Sequence, residues 1–194
     1  MLSNNTVFLA SANPHKIAEL EQILEPFGVE LKSTRDYAVR EDVEEDQPTL
    51  EGNALKKARF WHQKTGLPSL ADDTGLEVDA LNGVPGVYSA RYAGNDATYS
   101  DNVNKLLREL NSKQNRNARF RTVIAFVDGE NEHLFEGICK GKIIREPRGE
   151  KGFGYDPVFQ PQGFDKTFAE LSAKQKNLIS HRGLALQKFL KFLK

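Results

Sequence analysis

Short apolar runs alternate with helical stripes along the first half of this 194-residue chain, and that alternation restricts the fold more than any other feature. Residues 6–10 (TVFLA) read as a buried strand. They pass through Asn13-Pro14 into a helix carrying Ile17, Leu20, Leu24 and Phe27, which Gly28 stops. Residues 29–32 give a short second strand. A helix from Thr49 buries Leu50, Ala54, Ala58 and Trp61 and ends at Gly66. Residues 67–71 form a strand expected to break at Asp72-Asp73-Thr74-Gly75, with residues 76–81 resuming after it. The class is therefore α/β.

The second half is less regular. Val103, Leu106, Leu107 and Leu110 fall at i, i+3, i+4 and i+7, one face of a helix. Residues 120–127, the turn Asp128-Gly129 and residues 134–144 read as a hairpin of long strands. A last helix from Ser180 buries Leu186, Phe189, Leu190 and Leu193. Three stretches lack any period: the acidic residues 34–48, the glycine- and tyrosine-rich residues 82–94, and the glycine-rich residues 149–162. Loops of that length inside a folded chain usually carry function. No repeat or linker interrupts the pattern, so residues 1–194 are expected to form one α/β domain with room for two lobes.

Composition removes several classes of function. Twenty-seven basic residues balance 27 acidic ones, which argues against bulk binding to nucleic acid or to an anionic membrane. The charge is uneven, with 9 basic minus 16 acidic in residues 1–97 (net −7) and 18 minus 11 in 98–194 (net +7). That split fits either attraction between the halves or a cleft with metal-binding acids on one wall and anion-binding bases on the other. One cysteine, Cys139, excludes an internal disulfide and a cysteine-based zinc site. No apolar run approaches a membrane span, and the first ten residues lack the basic start of a signal peptide. The expected address is the cytoplasm.

The common nucleotide and hydrolase signatures are absent. There is no G-x-x-x-x-G-K-[ST], no H-E-x-x-H and no G-x-S-x-G, and Gly152-Phe153-Gly154-Tyr155-Asp156-Pro157 puts proline where a dinucleotide fingerprint needs glycine. What remains are polar groups at the ends of regular elements. In Ser11-Ala12-Asn13-Pro14-His15-Lys16, Asn13 suits an N-cap and Pro14 the first helical position. That leaves helix N–H groups and Lys16 to face an anion. Glu44-Glu45-Asp46 and Asp72-Asp73 are the acidic clusters, a supply that fits hard Mg²⁺. Asn53 and Lys57 share a helix face, and Lys56 lies one position round toward the surface. Phe153 and Tyr155 stand among glycines, where an aromatic ring can stack on a base or belong to the core. Lys176, His181 and Arg182 cluster at the start of the last helix.

Taken together, Ser11-x-Asn13-x-x-Lys16, Glu51-x-Asn53-Ala54-x-x-Lys57-Ala58, Ala71-Asp72-Asp73-Thr74-Gly75-Leu76, Pro85-Gly86-Val87-Tyr88-Ser89-Ala90-Arg91-Tyr92, Gly152-Phe153-Gly154-Tyr155-Asp156-Pro157 and Ser180-His181-Arg182-Gly183 closely resemble one family. It is the inosine triphosphate pyrophosphatase family, the bacterial XTP/dITP diphosphatases also called Ham1-like. The resemblance covers nearly the whole chain. Thr74 stands where bacterial relatives often have serine, which keeps the hydroxyl.

The resemblance implies a two-lobed fold around a long, twisted mixed sheet flanked by helices, with the active-site cleft between lobes, and a homodimer. It implies Mg²⁺-dependent hydrolysis of dITP, ITP and XTP to monophosphate and pyrophosphate, removing deaminated purines from the nucleotide pool. By the same resemblance Ser11, Ala12, Asn13, Pro14, His15, Lys16 and Lys57 hold the triphosphate. Glu45 and Asp73 ligate Mg²⁺, Asp73 is the catalytic acid–base, and Asp72 and Thr74 touch substrate. Phe153, Gly154, Tyr155 and Asp156 form the base and sugar pocket, with Phe153 stacking, and Lys176, His181 and Arg182 complete the contacts.

The physical chemistry of the reaction agrees. A triphosphate carries about four negative charges that cations must neutralise before water reaches phosphorus. Hypoxanthine and xanthine present an oxygen at purine position 6, where adenine presents an amino donor. Donors from Arg182, His181 or backbone amides would therefore reject adenine, by about 10⁴-fold in a site built for that oxygen. Which of Asp72 and Asp73 accepts the proton stays open from the sequence, as does what excludes GTP. Two other readings fit less well: a Maf-like nucleotide pyrophosphatase with another base preference, and a non-catalytic nucleotide- or RNA-binding module.

Overall fold

The computed structural model describes residues 5–36, 41 and 43–193. Among them the chain forms β1 (Thr6–Leu9), α1 (Pro14–Leu24), β2 (Glu30–Ser33), α2 (Leu50–Thr65), β3 (Ser69–Val78), β4 (Pro85–Gly86), α3 (Tyr99–Glu109), β5 (Asn117–Asp128), β6 (Asn131–Ile143), β7 (Phe159–Pro161), α4 (Ala173–Ile179) and α5 (His181–Leu193). The strands run in the order β2-β1-β3-β5-β6-β7, with β4 paired to β3. β1 is parallel to β2 and β3, whereas β3–β4 and β6–β7 are antiparallel, so the sheet is mixed. The α/β class is borne out.

The chain divides into two compact units. Unit 1 comprises residues 1–73, 122–137 and 182–194; unit 2 comprises 74–121 and 138–181. The boundaries fall inside β3, β5 and β6 and at the start of α5.

Unit 1 layers helices on both faces of its strands. One face packs Val7, Leu9, Leu70, Ile124 and Phe126 against Ile17, Leu20 and Leu24 of α1 and Ala185, Leu186 and Phe189 of α5. Strand residues of the other parity face α2, where Phe8 stacks on Trp61 with centroids 4.7 Å apart and planes at 24°. The predicted helical stripes here are buried except at Leu193, which is half-buried at the end of α5, and Phe27, which is 49% exposed. The exposure of Phe27 has a local cause. The residue lies in a 3₁₀ turn, Glu25–Phe27, after α1 has ended, so the helical period no longer aims it inward.

Unit 2 surrounds a separate core. Val103, Leu106 and Leu110 of α3 pack with Phe120, Ile143, Phe159, Phe168 and Leu171. Cys139 is buried here on β6, and burial pushes its thiol up to about 11, which removes it as a thiolate nucleophile. The predicted hairpin is β5 and β6, turning at Gly129 with φ +61°.

Three expectations change. β3 does not break at Asp72-Asp73-Thr74-Gly75 but runs through to Val78. It continues because both carboxylates find cationic or amide partners, and because Gly75 admits a close neighbour: a Cβ there would lie 2.7 Å from the Gly86 carbonyl oxygen. The stretch 82–94 contains β4 and a 3₁₀ turn, Ser89–Arg91. Within 34–48, Thr34–Asp36 forms a 3₁₀ turn, while residues 37–40 and 42 lie outside the described set.

Candidate active site

In unit 1 the pleat of β3 separates two adjacent acids. Asp72 shares the face of Leu70, toward α1 and α5; Asp73 takes the opposite face, toward α2. Both are buried.

Asp72 sits in a cage of cations. Its Oδ2 accepts from Arg182 Nη2 at 3.0 Å and Nε at 3.2 Å, and lies 3.2 Å from Lys16 Nζ. Burial alone would raise its carboxyl, but the charges of Lys16, Arg182 and Lys57 outweigh that and hold it well below the usual carboxylate range. Arg182 also donates through Nη1 to Glu19 of α1. Burial works against this guanidinium, yet Asp72 and Glu19 raise it above its ordinary value. Lys16 and Glu19 project from the same side of α1, three residues apart.

Asp73 has different company. Its Oδ2 accepts from Asn53 Nδ2 at 3.0 Å, and its Oδ1 lies 3.8 Å from Lys57 Nζ. Lys57 donates to Glu45 Oε1 at 2.5 Å and to the Asp72 carbonyl at 2.8 Å. Burial raises the Asp73 carboxyl, and the neighbouring Glu45 charge adds to it; Lys57 offsets only part, so the carboxyl stands above its ordinary value. Burial also opposes ionisation of Glu45, but Lys57 outweighs it and lowers that carboxyl. Burial would lower the Lys57 ammonium, and Asp73, Glu45 and Asp72 together raise it instead.

Glu45 and Asp73 thus present two hard carboxylate donors around one ammonium. Among the described residues no group of three or more His, Cys, Asp or Glu gathers for a metal. Two carboxylates suit Mg²⁺, which usually takes one or two together with water and substrate phosphates.

The start of α1 differs from the expectation of open N–H groups. Asn13 is the N-cap, as read, but its Oδ1 accepts from the backbone of His15 at 3.0 Å and Lys16 at 3.3 Å, and Ile17 N donates to the Asn13 carbonyl. With Pro14 lacking an N–H, the cap leaves the Lys16 side chain and the helix dipole to face an anion. Ala12, Pro14 and His15 are exposed beside it, and Ser11 Oγ accepts from Asn13 N at 3.3 Å.

Unit 2 holds the other group. Asp156 Oδ2 accepts from Phe153 N at 2.9 Å and from Lys176 Nζ at 2.6 Å. Lys176 Nζ lies 5.0 Å from the centroid of Phe153. The loop bends at Gly152 and Gly154, both in the left-handed region. Tyr155 points into the core, its hydroxyl donating to the Ser89 carbonyl at 2.9 Å, and burial pushes that hydroxyl well above its ordinary value. His181 is also packed inward, stacked on Phe120 at 4.5 Å. Thr74, half-buried on β3, follows Asp73 directly.

Sequence reasoning singled out Lys16, Asp72 and Arg182, and separately Lys57, Glu45 and Asp73; the structure brings each set together. It missed Glu19, for which the signal was an acid three residues after Lys16 on one helix face. It also missed Tyr99, whose ring meets Phe153.

The model of the Ham1 family matches residues 7–192. The dITP/XTP pyrophosphatase of Flavobacterium psychrophilum is 49% identical over 185 residues, covering 95% of this chain and 97% of the relative. That of Porphyromonas gingivalis is 50% identical over 188 residues, 96% of each. A HAM1 protein structure from Coxiella burnetii superposes with TM-score 0.89 at 41% identity, covering 100% of this chain and 98% of that one. The Staphylococcus aureus Ham1 protein gives 0.87 at 39%, covering 97% of each.

Proposed function

The chain belongs to the Ham1 family, and from that premise we propose that it is a nucleoside triphosphate diphosphatase acting on deaminated purine nucleotides. Its substrates are dITP, ITP and XTP, and its products the monophosphate and pyrophosphate. The names and near full-length identity of the relatives support this reading. The family match runs through both units, which supports treating residues 7–192 as one catalytic domain.

The observation that carries the reading is the pair of adjacent buried carboxylates with opposite surroundings. Divergent environments assign divergent roles. Asp72, held ionised by Lys16 and Arg182, orients those cations. Asp73, on the face of β3 opposite the Lys16–Arg182 cage, would take the proton of the attacking water. Asn53 fixes one of its oxygens and leaves the other beside Lys57. Lys16 and Lys57 counter the triphosphate charge. Glu45 and Asp73 would hold Mg²⁺, which when bound neutralises phosphate charge and orients the water.

The base and sugar fall to unit 2. Phe153 offers the stacking surface, held by Asp156 and with Lys176 beside its ring, and Gly154, Tyr155 and His181 are assigned to the same subsite. Arg182 has Nε, Nη1 and Nη2 on carboxylates, so the contact to the 6-oxygen falls to His181 and loop amides. The same reading includes a homodimer working in the cytoplasm. Zero net charge supports a small-molecule substrate over nucleic acid, and no helix among the described residues is long and apolar enough to cross a membrane.

Product analysis tests the proposal. The protein is incubated with Mg²⁺ and dITP, XTP, GTP or ATP, and pyrophosphate is scored against orthophosphate. Monophosphate and pyrophosphate from dITP and XTP, with GTP and ATP nearly untouched, is the expected result. Orthophosphate release, or no turnover of any of the four, would overturn it.

A further inference from the structure

The N-terminal end of α3 carries an aromatic residue that the reading above leaves without a task. Tyr99 continues the stripe of Val103, Leu106 and Leu110, at i, i+4, i+7 and i+11, yet it is 42% exposed where those residues are buried. Its backbone is fixed by a capping box in which Thr98 N donates to Asp101 Oδ2 at 2.9 Å and Asp101 N donates to Thr98 Oγ1 at 3.2 Å. From that anchored position its ring meets Phe153, with centroids 5.9 Å apart and planes inclined at 44°. Core pairs in the same unit, such as Phe120 and Phe159 at 4.7 Å, are closed off from solvent. The Tyr99–Phe153 pair is open.

Phe153 is itself positioned from behind. Its N–H is held by Asp156, and the Lys176 ammonium that shares the same carboxylate lies 5.0 Å from the ring centroid. A ring fixed in this way has a second ring inclined at 44° beside it, so two aromatic surfaces stand side by side. A flat heterocycle resting on one ring meets the edge or face of the other.

We infer that Tyr99 is a further substrate-binding residue of the base subsite, adding a second aromatic wall that binds the purine alongside Phe153. This rests on the reading of Phe153 as the base-stacking residue. A contribution made to binding the base appears in KM, and a contribution to the hydrolytic step would appear in kcat.

Steady-state kinetics with dITP and XTP in Mg²⁺ tests it, on the full chain carrying Tyr99→Ala, Tyr99→Leu, Tyr99→Phe or Phe153→Ala. A stacking wall at the weak end of the usual range for a base on an aromatic ring changes KM by about fivefold. Tyr99→Ala should therefore raise KM by about fivefold with kcat within about twofold, and Tyr99→Phe should restore the parent KM. Tyr99→Leu keeps the apolar stripe of α3 intact, so it should show the same KM rise even if the alanine variant melts early. Inhibition by inorganic tripolyphosphate, which has no base, should not change in any of them. If Phe153→Ala raises KM while Tyr99→Ala and Tyr99→Leu leave it within twofold, the assignment of Tyr99 fails and the base subsite stands. If Phe153→Ala also leaves KM unchanged, the reading of Phe153 fails and takes this inference with it. A fall in kcat at constant KM would place Tyr99 in a structural role and overturn the inference.

Discussion

Arg182→Met tests the charge network around Asp72 most directly. Arg182 is 2% exposed and binds two carboxylates, Asp72 through Nη2 and Nε and Glu19 through Nη1. Removing one partner of a buried pair typically costs about 3–5 kcal/mol, because the other charge is left uncompensated. Two features favour the lower end. Asp72 keeps Lys16 at 3.2 Å, and the Glu19 side chain is 16% exposed and can recruit water. At about 3 kcal/mol, and about 2–4 °C per kcal/mol for a chain of this size, the melting temperature should fall by about 6–12 °C.

The pH dependence gives the sharper test. Asp72 is held below its ordinary value of 3.8, so its stabilising share is present above that value and is lost as pH falls through the lower folded-state value. In the variant one of the cations that hold it down is gone, and the Asp72 carboxyl takes up its proton at higher pH than it does in the parent, though Lys16 and Lys57 still lower it. The gap in melting temperature should thus keep its full width from about pH 7 down to about pH 4 and narrow as pH falls from there toward about pH 2. Melting curves of both proteins across that range measure it. An equal gap at both ends, or none at pH 7, would refute the account of Arg182 as the counter-charge of Asp72.

Two further predictions concern the reaction. Asp73→Asn should fold normally, since its amide oxygen can still accept from Asn53, yet lose about 10²–10⁴-fold in turnover; melting and activity are measured on the same sample. Gly152→Ala should lower kcat/KM for dITP by about 10–100-fold, because a Cβ there would lie 2.0 Å from Asp156 Oδ2 at φ +74° and displace the carboxylate that holds Phe153. An effect within twofold would show that Asp156 does not position that loop.

The helices of unit 1 were legible because their stripes are local: Ile17, Leu20 and Leu24 announce α1, and Leu50, Ala54, Ala58 and Trp61 announce α2. The strand through Asp72 and Asp73 was not, because two carboxylates followed by glycine read as a terminus. What keeps them in the strand arrives from residues 16, 53, 57 and 182, none of them a sequence neighbour. The helix α4 had a readable start, the capping box of Ser172 and Gln175, but only a short and mostly exposed body. The capping of α1 shows the converse limit. Asn13 was identified as the cap from sequence, yet how many N–H groups that cap consumes is visible only in the coordinates.

The alternation of β3 makes the unit intolerant of length changes in one short stretch. Side chains switch faces at every residue of a strand. Deleting a single residue between Leu70 and Asp72 would carry Asp73 into the grip of Lys16 and Arg182, and leave Asn53 and Lys57 facing the hydroxyl of Thr74. The reagent would land in its scaffold's place and a hydroxyl in the reagent's, with every group around them unchanged. Substitution can test these acids one at a time, but their division of labour is a matter of counting, and a register shift by one position would erase it.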